Sequence, residues 1–155
     1  MDLTLTFANN KKIACEWAEH TQITNAVHRN GDQVESAPGA RPGIAFTLPF
    51  DAIGVTALQT LINNPDNLRT IVIQNNELVP IVDDQGEPTG QSYHPTETVE
   101  YYILQSETPI QTKYVVVSEE TPTEPAVTEQ KYILTLGQIT RQEKRMIDAG
   151  IDPWG

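Results

Sequence analysis

Short segments in which apolar and polar residues alternate recur along the chain, and they restrict its fold more than any other feature. Residues 3–7 alternate leucine or phenylalanine with threonine, and a period of two places the apolar side chains on one face of a strand. The polar residues 8–11 suit a tight turn, so 12–17 is predicted to return as the second strand of a hairpin. Further strands are predicted over residues 43–50, 68–74, 78–82, 98–104 and 112–117.

Three details of these strands are predicted from the sequence. The strand at 78–82 is expected to pair with 68–74 across Asn75 and Asn76, because asparagine is favoured in turns. Within 98–104, alternation places Tyr102 on the same face as Glu100, so Tyr102 is expected to be exposed. Pro49 has no N–H to donate to a sheet, so the strand at 43–50 is expected to end there or to lie at an edge.

Two segments are predicted to be helical. Apolar residues at 55, 58, 61 and 62 form one stripe at helical spacing, and Pro65 ends that helix. Residues 137–149 form the second predicted helix, in which Thr140 and Glu143 have the spacing of a capping box and Gly150 suits a C-cap. The first helix is too short to be stable alone and is therefore expected to pack on a sheet.

Polar and proline-containing segments are predicted to separate these elements. Residues 18–42 are expected to hold a short helical or extended piece and then an exposed loop, and residues 83–90 are expected to form another loop. Residues 118–130 contain two prolines and four acids, which is typical of an extended linker. The predicted organisation is a β-rich domain over 1–117, a linker over 118–130 and a C-terminal strand and helix segment over 131–155.

The predicted fold class is α+β, with mostly antiparallel strands, one short packed helix and a C-terminal helix. A mainly-β sandwich or barrel is the alternative.

The charge is concentrated in one part of the sequence. The net charge is −11, and residues 77–129 carry eleven acids and one base, Lys113, for a net charge of −10. Such a field repels phosphate backbones and anionic membranes, so no direct nucleic-acid binding and no membrane attachment are expected. Either these acids keep long loops hydrated, or they form an acidic face that docks on a basic partner or imitates nucleic acid.

The sequence offers no catalytic constellation. A metal site at His20 and His28 would need distant carboxylates such as Glu16, and His94 stands apart from both. Cys15, the single cysteine, is interpreted as a small buried hydrophobe. No nucleophile-elbow, P-loop or dinucleotide-binding motif occurs. We therefore predict no enzymatic activity, no metal and no cofactor.

Tyrosines are concentrated in the second half of the chain, among acidic residues. This pattern is typical either of sheet packing with exposed phenol groups or of a protein–protein contact. The predicted partner-binding residues are Asp83, Asp84, Glu87, Glu97, Glu100 and Tyr102.

One stretch resembles a known family. The order TEQKYILTLGQ at 128–138, followed by Glu143 in a helix, resembles small accessory proteins from phage and prophage tail modules of Firmicutes. The leucine–threonine–phenylalanine hairpin at 5–10, the strand around Phe46 and the strand at 71–73 are similar too. The chain departs from that pattern at 33–42 and 83–95, which are longer. The resemblance implies a phage or prophage origin and carries over no catalytic residue.

Two functions agree with this resemblance. The first is a structural or assembly component of a tail or baseplate that acts through protein–protein contacts. The alternative is an intracellular phage inhibitor of host defence, similar to anti-CRISPR proteins, whose acids stand in for phosphates. A third interpretation, a small-molecule sponge or lectin-like module, needs a pocket lined by tyrosines. The expected partners are virion components or a host defence protein, and the expected location is the host bacterial cytoplasm, with incorporation into the virion in the first case.

Apolar residues after the predicted linker indicate self-association. A 13-residue linker extended as polyproline II spans about 40 Å, so the following segment can pack on its own domain or on a neighbouring copy. We predict a homo-oligomer held partly by residues 131–150, with a helix folded back on its own sheet as the alternative. The predicted self-association residues are Tyr132, Leu134, Ile139, Met146 and Ile147.

Overall fold

The structure is a computed structural model that describes residues 2–154, apart from the side chain of Val117. In this range the strands of the first half are β1 (Leu3–Thr6), β2 (Lys12–Cys15), β3 (Trp17–Ile23), β4 (Ala26–Asn30), β5 (Gln33–Ala37) and β6 (Arg41–Pro49). Those of the second half are β7 (Thr70–Asn75), β8 (Val79–Val82), β9 (Pro88–Tyr93), β10 (Thr96–Glu100), β11 (Leu104–Ser118) and β12 (Val127–Gly137). The helices are α1 (Val55–Ile62) and α2 (Arg141–Asp148), and a 3-10 helix spans Pro65–Leu68.

The described strands form three antiparallel sheets. The first has the order β10-β7-β1-β2, the second has the order β3-β6-β12-β11-β4-β5, and β8 and β9 make a separate two-stranded sheet. The prediction of an α+β fold with mostly antiparallel strands and two short helices is confirmed, and the described strands form no closed barrel.

The N-terminal hairpin forms as predicted. Leu5 lies opposite Ile13 in the register of β1 and β2, and both side chains are buried in the core. Asn10 takes a φ of 66° in the turn, a conformation that asparagine tolerates better than most residues. The turn therefore aligns the apolar faces of both strands on the core.

Helix α1 also forms as predicted and is fastened to the six-stranded sheet. Leu58, Leu61 and Ile62 are buried. The Nε2 atom of Gln105, fully buried on β11, donates to the Ile62 carbonyl at 2.6 Å. Because the last carbonyls of a helix lack partners within the helix, Gln105 both caps α1 and fixes its position.

A pair of glycines allows close packing in the six-stranded sheet. Gly43 on β6 lies directly opposite Gly137 on β12, and Ile23 from β3 packs over both. A Cβ atom at Gly43 would lie 2.8 Å from the Cγ2 atom of Ile23. The glycines therefore provide the space that the Ile23 side chain occupies.

The prediction of an exposed loop within 18–42 is wrong. This segment contains β3, β4 and β5, and tight turns at Asn25 and Gly31, both with positive φ, join them. β3 and β5 are the two edges of the six-stranded sheet, where one face and one hydrogen-bonding side meet water. Their polar composition reflects that position, because edge strands commonly carry polar side chains.

The pairing predicted for 78–82 is wrong as well. β8 pairs with β9, while β7 lies between β1 and β10. The Asn75 N–H donates to the Pro95 carbonyl at 2.8 Å. The β8–β9 hairpin is thus inserted between two strands, β7 and β10, that pair with each other.

The segment predicted as a linker is part of a long hairpin. β11 and β12 pair from Leu104 opposite Gly137 to Ser118 opposite Val127, with an irregularity in the register between Gln105 and Ile110. Residues 119–126 connect the two strands, and residues 127–130 already belong to β12. The prolines at 122 and 125 lie in this connection, while Val127 and Thr128 belong to the ladder.

Helix α2 has the predicted caps but is shorter than the predicted span of 137–149, because it begins at Arg141 and Gly137 is still part of β12. The Thr140 hydroxyl accepts from the Glu143 N–H at 3.2 Å, and the Glu143 carboxylate accepts from the Thr140 N–H at 2.8 Å, which completes the capping box. Gly150 follows the helix with a φ of 78°. None of the helices in the described part of the chain has both the length and the apolar composition that crossing a lipid bilayer requires.

Candidate interaction surfaces

The β8–β9 hairpin, defined here as residues 77–94, is exposed on both faces. Of the residues in its two strands only Val79 is half-buried, and the others are exposed. Its apolar side chains include Leu78, Ile81, Val82 and Tyr93, which are exposed. Both outer edges lack a neighbouring strand among the described residues. A two-stranded ribbon without a hydrophobic partner is marginally stable in water, so this hairpin has a surface available for another molecule.

The second exposed hairpin is the far part of β11 and β12, named here the β11–β12 arm and defined as residues 111–130. The pairing of β12 with β6 ends where Lys131 meets Pro49, and the pairing of β11 with β4 involves Gln105. Among the described strands, those of the arm therefore pair only with each other. Tyr114, Val116 and Val127 are exposed on it.

The predicted acidic residues fall into two groups. Asp83, Asp84 and Glu87 lie together at the turn of the β8–β9 hairpin, where an oxygen of Asp83 accepts from the Gln85 and Glu87 N–H groups, both at 2.9 Å. That carboxylate fixes the turn, while Asp84 and Glu87 project into solvent.

The other two acids lie on β10, at the edge of the four-stranded sheet. Glu97 contacts His20 Nε2 at 2.9 Å, with both side chains more than half exposed, and Glu100 is exposed. These acids belong to a different element from the hairpin turn.

The prediction that Tyr102 is exposed is wrong. β10 ends at Glu100, and Tyr101 has a φ of 62°, so the alternation stops there. Tyr102 and Ile103 are consequently both buried, with 6% and 3% of their surface exposed. Burial also raises the pKa of the Tyr102 phenol, with a smaller effect from the charge of Glu97. Tyr102 belongs to the core and not to a docking surface.

A groove of about 440 Å³ lies beside the β11–β12 arm, where β6 stops and β12 continues. It is lined by Glu16, Pro49, Phe50, Asp51, Glu129, Gln130 and Lys131. The Lys131 ammonium forms an ion pair with Glu16 and lies 3.9 Å from a carboxylate oxygen of Glu129. The groove lining therefore contains three carboxylates, of Glu16, Asp51 and Glu129, and one ammonium group, so it carries a net negative charge.

An aromatic strip borders this groove. The rings of Phe50 and Tyr132 lie 5.5 Å apart at an angle of 30°. Tyr132 faces Thr112 across the ladder, and Tyr114, two residues further along β11, lies on the same face. Phe50 is 51% exposed and Tyr114 is 67% exposed. The strip therefore extends apolar surface from the sheet onto the arm.

A second, wider groove of about 630 Å³ shares Glu16 with the first. Its other acidic residues are Asp2, Glu77 and Glu97, and the exposed Trp17 indole also lines it. Both grooves thus present carboxylates next to an aromatic side chain. This combination favours a cationic partner over an anionic one.

The residues predicted for self-association lie against the core of the same chain. Tyr132, Leu134 and Ile139 are buried, and Ile147 packs against the core at partial burial. Met146 is half-buried on α2. This position corresponds to the alternative in which the C-terminal helix folds back on its own sheet, and the homo-oligomer stays a prediction.

An ion pair holds α2 in this position. The Arg41 guanidinium donates to both oxygens of Glu143, at 2.5 and 2.9 Å, and to the Pro38 carbonyl at 2.9 Å. The Trp154 indole N–H donates to the same carboxylate at 2.8 Å. Burial acts to raise the pKa of Glu143, but the hydrogen bonds from Arg41, Thr140 and Trp154 outweigh it and lower the pKa to about 2.

The side chains of Cys15 and His28 are at least partly buried and pack against other groups of the protein. Burial raises the pKa of the Cys15 thiol to about 12, and its sulfur contacts the carbonyls of Trp17 and Thr47. The His28 ring lies 4.8 Å from the Trp154 ring, and burial lowers its pKa. Among the described residues, no three histidine, cysteine, aspartate or glutamate side chains are arranged to hold a metal ion.

No family model, curated protein or solved structure matches this chain.

The sequence indicated the β8–β9 turn acids but not the groove. The groove brings residues 129 and 130 next to Glu16, Phe50 and Asp51, which are far away in sequence. It forms because β12 extends four residues beyond the end of its pairing with β6. Its sequence signal is Pro49, which predicts the end of β6, together with Val127 and Thr128, which suit a strand.

Proposed function

We propose that this chain is a non-enzymatic structural or assembly component of a phage or prophage tail or baseplate, and that it acts through protein–protein contacts made by the β8–β9 hairpin and the β11–β12 arm. The observation that carries the proposal is the pair of exposed hairpins, whose outer edges and apolar side chains have no covering element among the described residues.

The physical argument concerns the cost of leaving such hairpins uncovered. Unpaired strand edges attract other chains, and proteins normally shorten, twist or cover them. β11 spans fifteen residues, and its far half is neither short nor covered by another described element. A partner that supplies a strand or an apolar face would stabilise both hairpins. The sequence resemblance to tail-module proteins suggests that the partner is another component of a phage tail, where many protein–protein contacts form.

The test is to purify phage particles from cells that encode the chain and to quantify the protein by mass spectrometry. We expect a fixed number of copies per particle, and we expect defective or fewer particles after deletion of the gene. Absence from purified particles together with normal assembly after deletion would contradict the proposal.

A second candidate function is inhibition of a host defence protein through the acidic surface. The observation that favours it is the exposed group Asp83, Asp84 and Glu87 on a projecting hairpin, which is shaped to enter a basic channel. Exposed charge pairs are screened within about 10 Å at ordinary salt, so inhibition by this route weakens as salt rises.

The test of this alternative is guide-directed DNA cleavage with and without the purified protein. Neutralising the three acids as Asp83→Asn, Asp84→Asn and Glu87→Gln is expected to abolish inhibition, while Asp32→Asn, at an exposed turn outside the predicted partner-binding residues, serves as a control. Inhibition that persists in the triple variant would rule out phosphate mimicry by this hairpin.

A further inference from the structure

We infer that the open edge of β12 at residues 127–130 accepts an extended, basic segment of a partner protein as an added strand. This inference deepens the proposed function, since it names the class of partner that the β11–β12 arm binds.

The backbone of this edge is positioned for strand addition. β6 pairs with β12 up to Pro49 opposite Lys131, and beyond this point β12 continues for four residues, from Gln130 to Val127. In an antiparallel strand, alternate residues direct their N–H and C=O groups to opposite sides. Half of these four residues therefore direct their N–H and C=O groups away from β11, to the open side. At about 3.3 Å per residue, the open edge is about 13 Å long.

The described part of the chain leaves the position beside residues 127–130 of β12 unoccupied, because it turns away after Pro49. After Pro49 the backbone turns, with the Ala52 N–H donating to the Pro49 carbonyl at 3.0 Å, and leads away into α1. The groove of about 440 Å³ lies where β6 would otherwise have continued. A strand from another molecule fits on this line as a continuation of β6.

The side chains around the groove define the chemistry of the added strand. The Asp51 and Glu129 side chains are exposed there, and Asp51 forms no ion pair with the described residues. Phe50 offers an apolar and aromatic surface beside them. A lysine or arginine on the Glu129 face of the added strand can direct its charge to the groove carboxylates, and the apolar residue that alternates with it lies on the opposite face, where Phe50 packs on Tyr132.

A second copy of this chain is a poor occupant of the edge. Pairing β12 with β12 around a two-fold axis would bring two Glu129 side chains close together, and like charges on paired strands are destabilising. The connection at the tip of the arm adds Glu119, Glu120 and Glu124 from each copy. Charge complementarity therefore selects a basic partner.

The experiment uses the full chain labelled for amide NMR and two synthetic peptides, acetyl-TKVKVKT-amide and the matched acetyl-TEVEVET-amide. We expect the lysine peptide to shift the amide signals of residues 127–130 and to slow their hydrogen exchange. The response should weaken severalfold between about 0.05 and about 0.5 M salt. The glutamate peptide should produce no such response.

Two charge-matched variants complete the test. Asp51→Lys with Glu129→Lys is expected to weaken lysine-peptide binding about tenfold or more, whereas Asp32→Lys with Glu107→Lys, at exposed positions outside both hairpins, should leave it unchanged. The dispersion of the amide spectrum confirms that both variants are folded.

Three results would overturn the inference. They are no response at 127–130 to the lysine peptide, an equal response to both peptides, and unchanged affinity in the groove variant. Concentration-dependent shifts at 127–130 without peptide would assign the edge to a second copy and would also overturn it. None of these results bears on whether the protein is found in particles, so failure here is distinguishable from failure of the proposed function.

Discussion

Arg41 shows at the scale of a single residue how the C-terminal part of the chain is held. It is the most buried charged side chain among the described residues, at 4% exposure. Its guanidinium connects β6 to Glu143 on α2, and Glu143 in turn accepts from Trp154. The sequence predicted the capping role of Glu143 from its spacing, but its ion pair with Arg41 spans 102 positions and left no local pattern.

The substitution Glu143→Gln is predicted to lower the free energy of unfolding by about 3–5 kcal/mol. It leaves the buried Arg41 charge without its partner, and uncompensated buried charges are destabilising by that amount. Urea denaturation measures the change, with the exposed Glu100→Gln as the matched control. A loss below about 0.5 kcal/mol, as for an ordinary surface change, would contradict this account of α2.

The same carboxylate makes stability depend on pH. The folded-state pKa of Glu143 is about 2, below its ordinary value of 4.5, so its stabilising contribution is complete above about pH 4.5 and is lost as the pH falls towards 2. The difference in melting temperature between the native protein and Glu143→Gln should therefore narrow over this range. A difference that stays constant down to pH 2 would show that the charge of Glu143 does not contribute.

Gly137→Ala is predicted to destabilise the protein by about 1–3 kcal/mol, because the new methyl group overlaps the Ile23 side chain. Shortening that side chain by Ile23→Val should recover part of the loss, and a double-mutant cycle in urea measures the coupling. Additive effects of the two substitutions would contradict the packing described for this pair of glycines.

At the scale of elements, local patterns predicted what local interactions determine. The N-terminal hairpin, α1 and the caps of α2 each depend on residues within one turn or one hairpin, and these three predictions are confirmed. Within 18–42, β3 and β5 were missed because edge strands need little apolar sequence, and β4 was missed because it has only five residues and three of them are polar. The groove beside β12 was missed because it arises from a difference in length between two distant strands, which no local pattern records.

The two exposed hairpins are predicted to be the least protected strands of the molecule. Their amide hydrogens lack a covering layer, so residues 79–93 and 111–130 should exchange much faster than β1, β6 or β7. Hydrogen exchange followed by mass spectrometry measures this for the free protein. Protection of both hairpins equal to that of the core strands would contradict their description as uncovered.

At the scale of the whole molecule, charge and exposed surface coincide. Residues 77–129 carry nearly all of the net charge of −11, and the structure assigns most of those acids to the two hairpins. The concentration of acidic residues therefore agrees with the exposure of the two hairpins, although residues 102–105 between them are buried. Composition did not predict the open edge of β12, because that edge depends on where the neighbouring strand β6 ends.

Shortening either hairpin tests the central claim without disturbing the core. Asn75 and Pro95 already contact each other, and Lys113 lies directly opposite Lys131. Residues 77–94 or residues 114–130 can therefore each be replaced by an Asn-Gly turn, which suits a hairpin. Both shortened proteins are expected to keep the melting temperature of the core.

The most direct measurement is the number of copies of each shortened protein in purified phage particles, determined by quantitative mass spectrometry after complementation of a gene deletion. We expect the native protein to be incorporated and each shortened protein to be depleted about tenfold or more, because a loss of about 1.4 kcal/mol in contact energy already reduces binding tenfold. Incorporation of both folded, shortened proteins at the native level would contradict the claim that these hairpins make the contacts.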